Sequence, residues 1–225
     1  MNLNDIAPDV DGHDQDEDWL FRAQSHGHDA IVDVFFDDLA GHLCERLRDA
    51  YFVAGCMAWF TNYRVLDTMS RLPGGCQVVV QKEDFLRPDG SSKLELQRQY
   101  AALTCPGRGI LPTRTTAGPS RLSYASDQTC DAVRCMGVRP HRFKTTPKMH
   151  HKFFVMFDEQ MVPFAVWTGS FNATENGSRS RENAVYLRSA KLAALYATEW
   201  SRVLALSEPL DWSSEYVAPE WRFGS

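Results

Sequence analysis

The runs Lys148–Phe157 and Pro163–Phe171, joined by Asp158-Glu159-Gln160, constrain the fold of this chain most. Both are short, apolar, and rich in aromatic and β-branched residues. They read as buried strands of one antiparallel hairpin. Side chains in a strand alternate between faces, so His150 and Lys152 share one face and His151 takes the other. By the same rule Ser170 and Asn172 share a face. If the two strands are neighbours, an imidazole, an ammonium, a hydroxyl and a carboxamide meet in one place. That combination is a candidate nucleophile surrounded by donors for phosphate oxygens.

His150-x-Lys152 followed by Gly169-Ser170-x-Asn172 resembles the signature of the phospholipase D superfamily. The later Glu182-Asn183-Ala184-Val185 is similar to the continuation in its small single-motif members, the bacterial Nuc-type endonucleases. The resemblance spans about Met149 to Leu187, and the order of strands and helices upstream fits the same fold. One departure is plain. The family places an Asp five residues after the Lys; here that place holds Phe157, and Asp158 follows it. The segment from Asp158 to Gly169 is also longer than usual. Because the family Asp is mostly a structural partner, the departure bears on the hairpin more than on the chemistry.

These residue types suit attack on a phosphodiester, whose oxygens repel nucleophiles. Covalent catalysis divides the displacement into two easier steps. A neutral imidazole, with an ordinary pKa of about 6.5, is a competent nucleophile near neutrality. His150 takes that role, with His151 its competitor but out of register with Lys152. Lys152 and Asn172 suit the non-bridging oxygens and the charge of the pentavalent transition state. Ser170 offers a hydrogen bond to the phosphate or to a neighbouring side chain. Glu182 suits the far ring nitrogen of His150, as a carboxylate does in a hydrolase triad. Arg179, Arg181 and Lys148 are candidate phosphate contacts. The leaving alkoxide needs a separate acid, yet the chain carries one motif. Two-motif members of the superfamily join two histidines, so the resemblance implies a homodimer in which each copy lends one His150. No cofactor or metal is required. A zinc reading of Cys105, Cys130, Cys135 and His141 lacks any Cys-x2-Cys pair.

The rest of the chain reads as a mixed α/β sheet flanked by helices on both faces, a phospholipase D-like α-β-α sandwich. Residues 1–27 are acidic and aperiodic, a flexible tail; 28–225 form one catalytic domain. Ile31–Phe36, Tyr51–Phe60, Cys76–Val80, Ala132–Met136 and Asn183–Leu187 read as further strands. Helices are expected around Leu39–Ala50, Val65–Leu72, Lys93–Leu103 and Lys191–Leu206. Strand, helix, strand, helix, strand at these lengths implies that the first three strands are parallel neighbours. A loop insertion spans about 104–128.

Charge does not advertise a nucleic-acid binder, because the 225 residues carry a net −5. Its distribution is more informative: Arg134, Arg139, Arg142, Lys144, Lys148 and Lys152 gather before and within the motif. Met1–Trp19 lacks an apolar core, so the expectation is no secretory signal, a cytoplasmic protein and reduced cysteines. No stable membrane association is expected. The leading function is a metal-independent nuclease cleaving DNA or RNA. The alternatives are a phospholipase or phosphatidyl transferase using the same residues, and a catalytically silent binding module.

Overall fold

The computed structural model describes residues 31–82, 93–105, 114–115, 118–119, 131–137 and 148–210. The expected acidic tail, most of the expected insertion, Cys130 and His141 lie outside them. The strands are β1 (Ile31–Phe35), β2 (Phe52–Met57), β3 (Cys76–Gln81), β4 (Arg114–Thr115), β5 (Gly118–Pro119), β6 (Val133–Met136), β7 (Lys152–Phe157), β8 (Pro163–Gly169), β9 (Ala184–Arg188) and β10 (Glu208–Pro209). The helices are α1 (Leu39–Leu47), α2 (Tyr63–Ser70), α3 (Lys93–Ala101) and α4 (Ala190–Ala205). Among the described residues no helix is long and apolar enough to cross a membrane.

One eight-stranded sheet carries the fold, in the order β1-β9-β8-β7-β2-β3-β6-β10. β2, β3 and β6 are parallel neighbours. β7 pairs antiparallel with β2 and with β8, so the sheet is mixed and the expected hairpin is present. The short β4–β5 ladder stands apart, inside the stretch expected to be without structure.

Period-two alternation divides the core between the faces. Val53 and Met57 of β2, Phe154 and Met156 of β7, and Ala165 and Trp167 of β8 pack with Leu39, Leu43 and Leu47 of α1, Val65, Leu66 and Met69 of α2, and Leu96 and Tyr100 of α3. Phe52, Ala54, Cys56, Phe153, Val155, Phe157 and Val166 face the other way and meet Ala193, Ala197, Trp200, Val203 and Leu204 of α4. Each large apolar side chain so buried contributes roughly 1.5–3 kcal/mol. Side-chain caps set three helix starts: Asp38 accepts from Gly41, Asn62 from Val65 and Ser189 from Leu192.

Two expectations need correction. β1 is not a parallel neighbour of β2. It is an edge strand, antiparallel to β9, with Ile31 paired to Arg188. Its upper residues explain the place: Ile31, Val32 and Val34 are more than half exposed, whereas β2 is buried throughout and already holds β3 and β7. β1 is anchored by Phe35, stacked 5.4 Å from Trp167, and by Asp33, which accepts from Arg46 of α1 at 2.8 Å. The second motif strand also stops before Phe171. Gly169 has φ +151°, and a Cβ there would lie 2.3 Å from the Asn183 carbonyl oxygen. Only glycine fits that turn, so strand alternation does not run on to Ser170 and Asn172.

Asp158 supports the hairpin, not the site. Its carboxylate accepts from the backbone N–H groups of Gln160, at 3.0 Å, and Val162, at 2.9 Å. The Asx turn is accompanied by a register shift between Met156 and Phe157. The residue displaced from the family spacing thus closes the turn at the far end of β7 from Lys152.

Candidate active site at one sheet edge

Register brings the motif residues to one edge. Met57 pairs with Lys152, Phe153 with Thr168, and Gly169 with Ala184. The C-terminal ends of β2, β3 and β8 therefore lie beside the N-terminal ends of β7 and β9. Ligand sites in open α/β sheets characteristically occupy the C-terminal ends of the parallel strands.

His150 and His151 precede the first ladder residue of β7, yet their faces are set by it. The His151 carbonyl accepts from Ala58 N–H at 3.0 Å and extends the pairing with β2. The His151 ring turns toward α4, where Nε2 lies 3.3 Å from Glu199 Oε1. The hydrogen bond from His151 is the main reason the Glu199 carboxyl titrates below the usual range. His150 is exposed and meets the ring of Trp59 edge to face, with centroids 5.5 Å apart. Lys152 Nζ donates to the His150 carbonyl at 2.9 Å. The expected division between the two histidines is therefore present.

Lys152 is half-buried. Desolvation lowers its pKa, and the Glu182 carboxylate opposes that shift. Glu182 also accepts the Ser170 hydroxyl proton through Oε2. The Ser170 oxygen in turn accepts from Asn183 N–H at 3.0 Å. Of the two roles open to Ser170 from sequence, the neighbouring side chain is the one observed. Backbone bonds from Ser170 N–H (3.0 Å) and Phe171 N–H (3.4 Å) to the Asn183 carbonyl lace the two segments together. Lys152 is thus tied to the His150 backbone by a hydrogen bond and to Glu182 by electrostatics, and Glu182 is tied to Ser170 by a hydrogen bond.

Asn172 is 8% exposed, and its Oδ1 is buried with no hydrogen-bond partner. A buried carboxamide oxygen left unpaired is costly; as an acceptor it calls for a donor, while the Nδ2 group of the same side chain is the part that could donate to a phosphate oxygen. Phe171 and Ala173 on either side are buried, and the Ala173 carbonyl accepts from Thr61 and Asn62 N–H, each at 2.8 Å. Asn62 Nδ2 also donates to Ser178 Oγ at 3.1 Å, tying down the loop that carries Arg179 and Arg181. Both arginines are exposed, as is Lys148, whose ammonium lies 6.0 Å from the Trp59 ring centroid.

Sequence reasoning missed two residues here. Gln81, 1% exposed at the end of β3, accepts from Met149 N–H at 2.7 Å and donates to the Lys82 carbonyl at 3.3 Å. It holds the backbone immediately before His150. Its signal was a polar residue closing an apolar strand. Trp59 read as one more apolar residue of the second strand. No group of three or more His, Cys, Asp or Glu side chains suited to a metal ion occurs among the described residues. Of the zinc reading, only Cys105 and Cys135 are described.

No family model matches the sequence. The uncharacterized protein L381 of Acanthamoeba polyphaga mimivirus is 30% identical over 199 residues, covering 83% of this chain and 69% of that protein. NucT from Helicobacter pylori superposes with a TM-score of 0.50 at 12% identity, over 80% of this chain and 98% of that one. Nuc from Salmonella typhimurium, a phospholipase D family member, gives a TM-score of 0.47 at 15% identity, over 80% and 97%. The chain belongs to one family with the mimivirus L381 protein, and its fold is like that of NucT.

Proposed function

We propose that this protein is a metal-independent phosphodiesterase, a nuclease that works through a phosphohistidine intermediate in a homodimeric site. The observation that carries this reading is the placing of Lys152 at the sheet edge, bonded to the His150 carbonyl beneath the exposed His150 ring and within the electrostatic reach of the Glu182 carboxylate that accepts from Ser170. The imidazole of His150 attacks phosphorus, forming a P–N bond as the P–O bond to the leaving group breaks. The His150 of the second copy donates its proton to the departing alkoxide. That same ring then removes a proton from water, which attacks phosphorus and breaks the P–N bond. Lys152 and Asn172 hold the non-bridging oxygens, and Ser170 keeps Glu182 in place. Glu182 orients the imidazole through its other oxygen. Lys148, Arg179 and Arg181 take flanking phosphates, and nucleic acid is the substrate.

Because every reacting group is a side chain, hydrolysis of an aryl phosphodiester should be unchanged by excess EDTA. Loss of activity restored by a divalent ion would sink the histidine mechanism. The second test uses pH. The charged ammonium of Lys152 is the active form, and its pKa is depressed by desolvation. The alkaline limb of kcat/KM should therefore fall below the ordinary lysine range. Glu182 pushes the other way, so Glu182→Gln should move that limb to still lower pH, whatever it does to the maximal rate. A limb that stays put or rises in this variant would remove Lys152 from the role.

A further inference from the structure

Trp59 sits two residues past the end of β2, with Ala58 and Phe60 on either side fully buried. Its own ring is only half-buried, at the site edge, with the His150 ring at 5.5 Å and 80° and the exposed Lys148 ammonium at 6.0 Å. A large indole kept partly out of the core, next to the proposed nucleophile and an exposed cation, is poorly explained by packing alone. A nucleic-acid strand supplies the complement: a phosphate for His150 and, one sugar away, a flat base. With a net charge of −5 the chain has little general attraction for phosphates. Stacking of bases on aromatic rings provides affinity that does not depend on net charge and tolerates any sequence.

We infer that Trp59 is a stacking platform for the nucleobase adjoining the scissile phosphate, with Lys148 moving from the ring to the neighbouring phosphate. The substrate is accordingly a single-stranded or locally unpaired nucleic acid. A base inside a duplex is already stacked and must leave the helix to reach the indole. This inference rests on the phosphodiesterase reading of His150 and Lys152, and extends it to the choice of substrate.

The test compares kcat/KM of the full-length protein on oligothymidylate, on an abasic oligomer of equal length, on a duplex and on methyl p-nitrophenyl phosphate. The wild type should favour thymidylate over the abasic strand by roughly five- to a hundredfold, the range expected for one stacked base. The duplex should be the poorer polymer. In Trp59→Ala the thymidylate-to-abasic ratio should collapse to within about twofold, while Trp59→Phe keeps most of it. The ratio within one variant cancels any loss His150 suffers from a changed neighbour. Trp59→Leu, which retains apolar volume without a π face, gives the same reading should the alanine variant not fold. A wild-type ratio near one, or a ratio unchanged in Trp59→Ala, overturns the inference. If methyl p-nitrophenyl phosphate is hydrolysed in a His150-dependent way without any base effect on the polymers, Trp59 alone is misassigned. If no phosphodiester is cleaved, the parent reading fails and this one with it.

Discussion

His150→Ala should lower kcat by about 10⁴-fold or more, while His151→Ala should stay within about tenfold of wild type. The two residues are adjacent in sequence and have opposite surroundings. His150 lies on the face of Lys152, at the site edge beside Trp59. His151 lies on the face of α4 and pairs with Glu199. On the proposed mechanism, removing His150 removes the covalent pathway altogether. Removing His151 loosens one half-exposed contact between a strand end and a helix. Single-turnover rates on an aryl phosphodiester, with acid-quench trapping of the phosphoenzyme, separate the cases. Trapping should succeed in His151→Ala and fail in His150→Ala. The reverse pattern would place the nucleophile on the α4 face and reject the assignment.

Mixing subunits should expose a shared site. One chain supplies one His150, and the proposed two-step reaction needs a nucleophile and a separate acid. The protein should therefore sediment as a twofold dimer, its His150 pair about one phosphoryl group apart. When wild-type and His150→Ala subunits are unfolded together and refolded in equal amounts, random pairing leaves about a quarter of the dimers intact. Specific activity should then be about a quarter of wild type, against about half if each copy works alone. A value near half, or full activity from a sedimenting monomer, would require an acid from within the same chain. His141, upstream of the motif, would be the first residue to replace.

Much of the hairpin was legible in the residues themselves. The alternation that separates His150 from His151 also sorts Phe154 and Met156 from Phe153, Val155 and Phe157, and the two cores divide along that line. The pattern is local and repeats every second residue, so neither strand order nor distant packing is needed to read it. The helices were legible for the same reason, through apolar spacing and the capping residue Asn62. The alternation rule failed at Gly169, where the chain leaves the strand through a backbone turn that hydrophobic spacing does not encode.

Strand order was decided only in three dimensions. β1 precedes a helix and a strand just as a parallel crossover unit would, and nothing within Ile31–Phe35 reports that its partner, β9, lies 149 positions or more along the chain. Such pairings depend on which edges remain open once the most apolar strands have been enclosed. The supporting residues of the site were hidden for the same reason. Gln81 and Trp59 reach Met149 and His150 across loops that no sequence spacing connects. The hydroxyl of Ser170 found Glu182 only because Gly169 turns the chain against Asn183. By itself, then, the sequence picked out the candidate side chains and which way the first strand presents them. The tertiary structure decided what surrounds them, because burial and hydrogen bonding at a sheet edge are set by contacts between segments far apart in the chain.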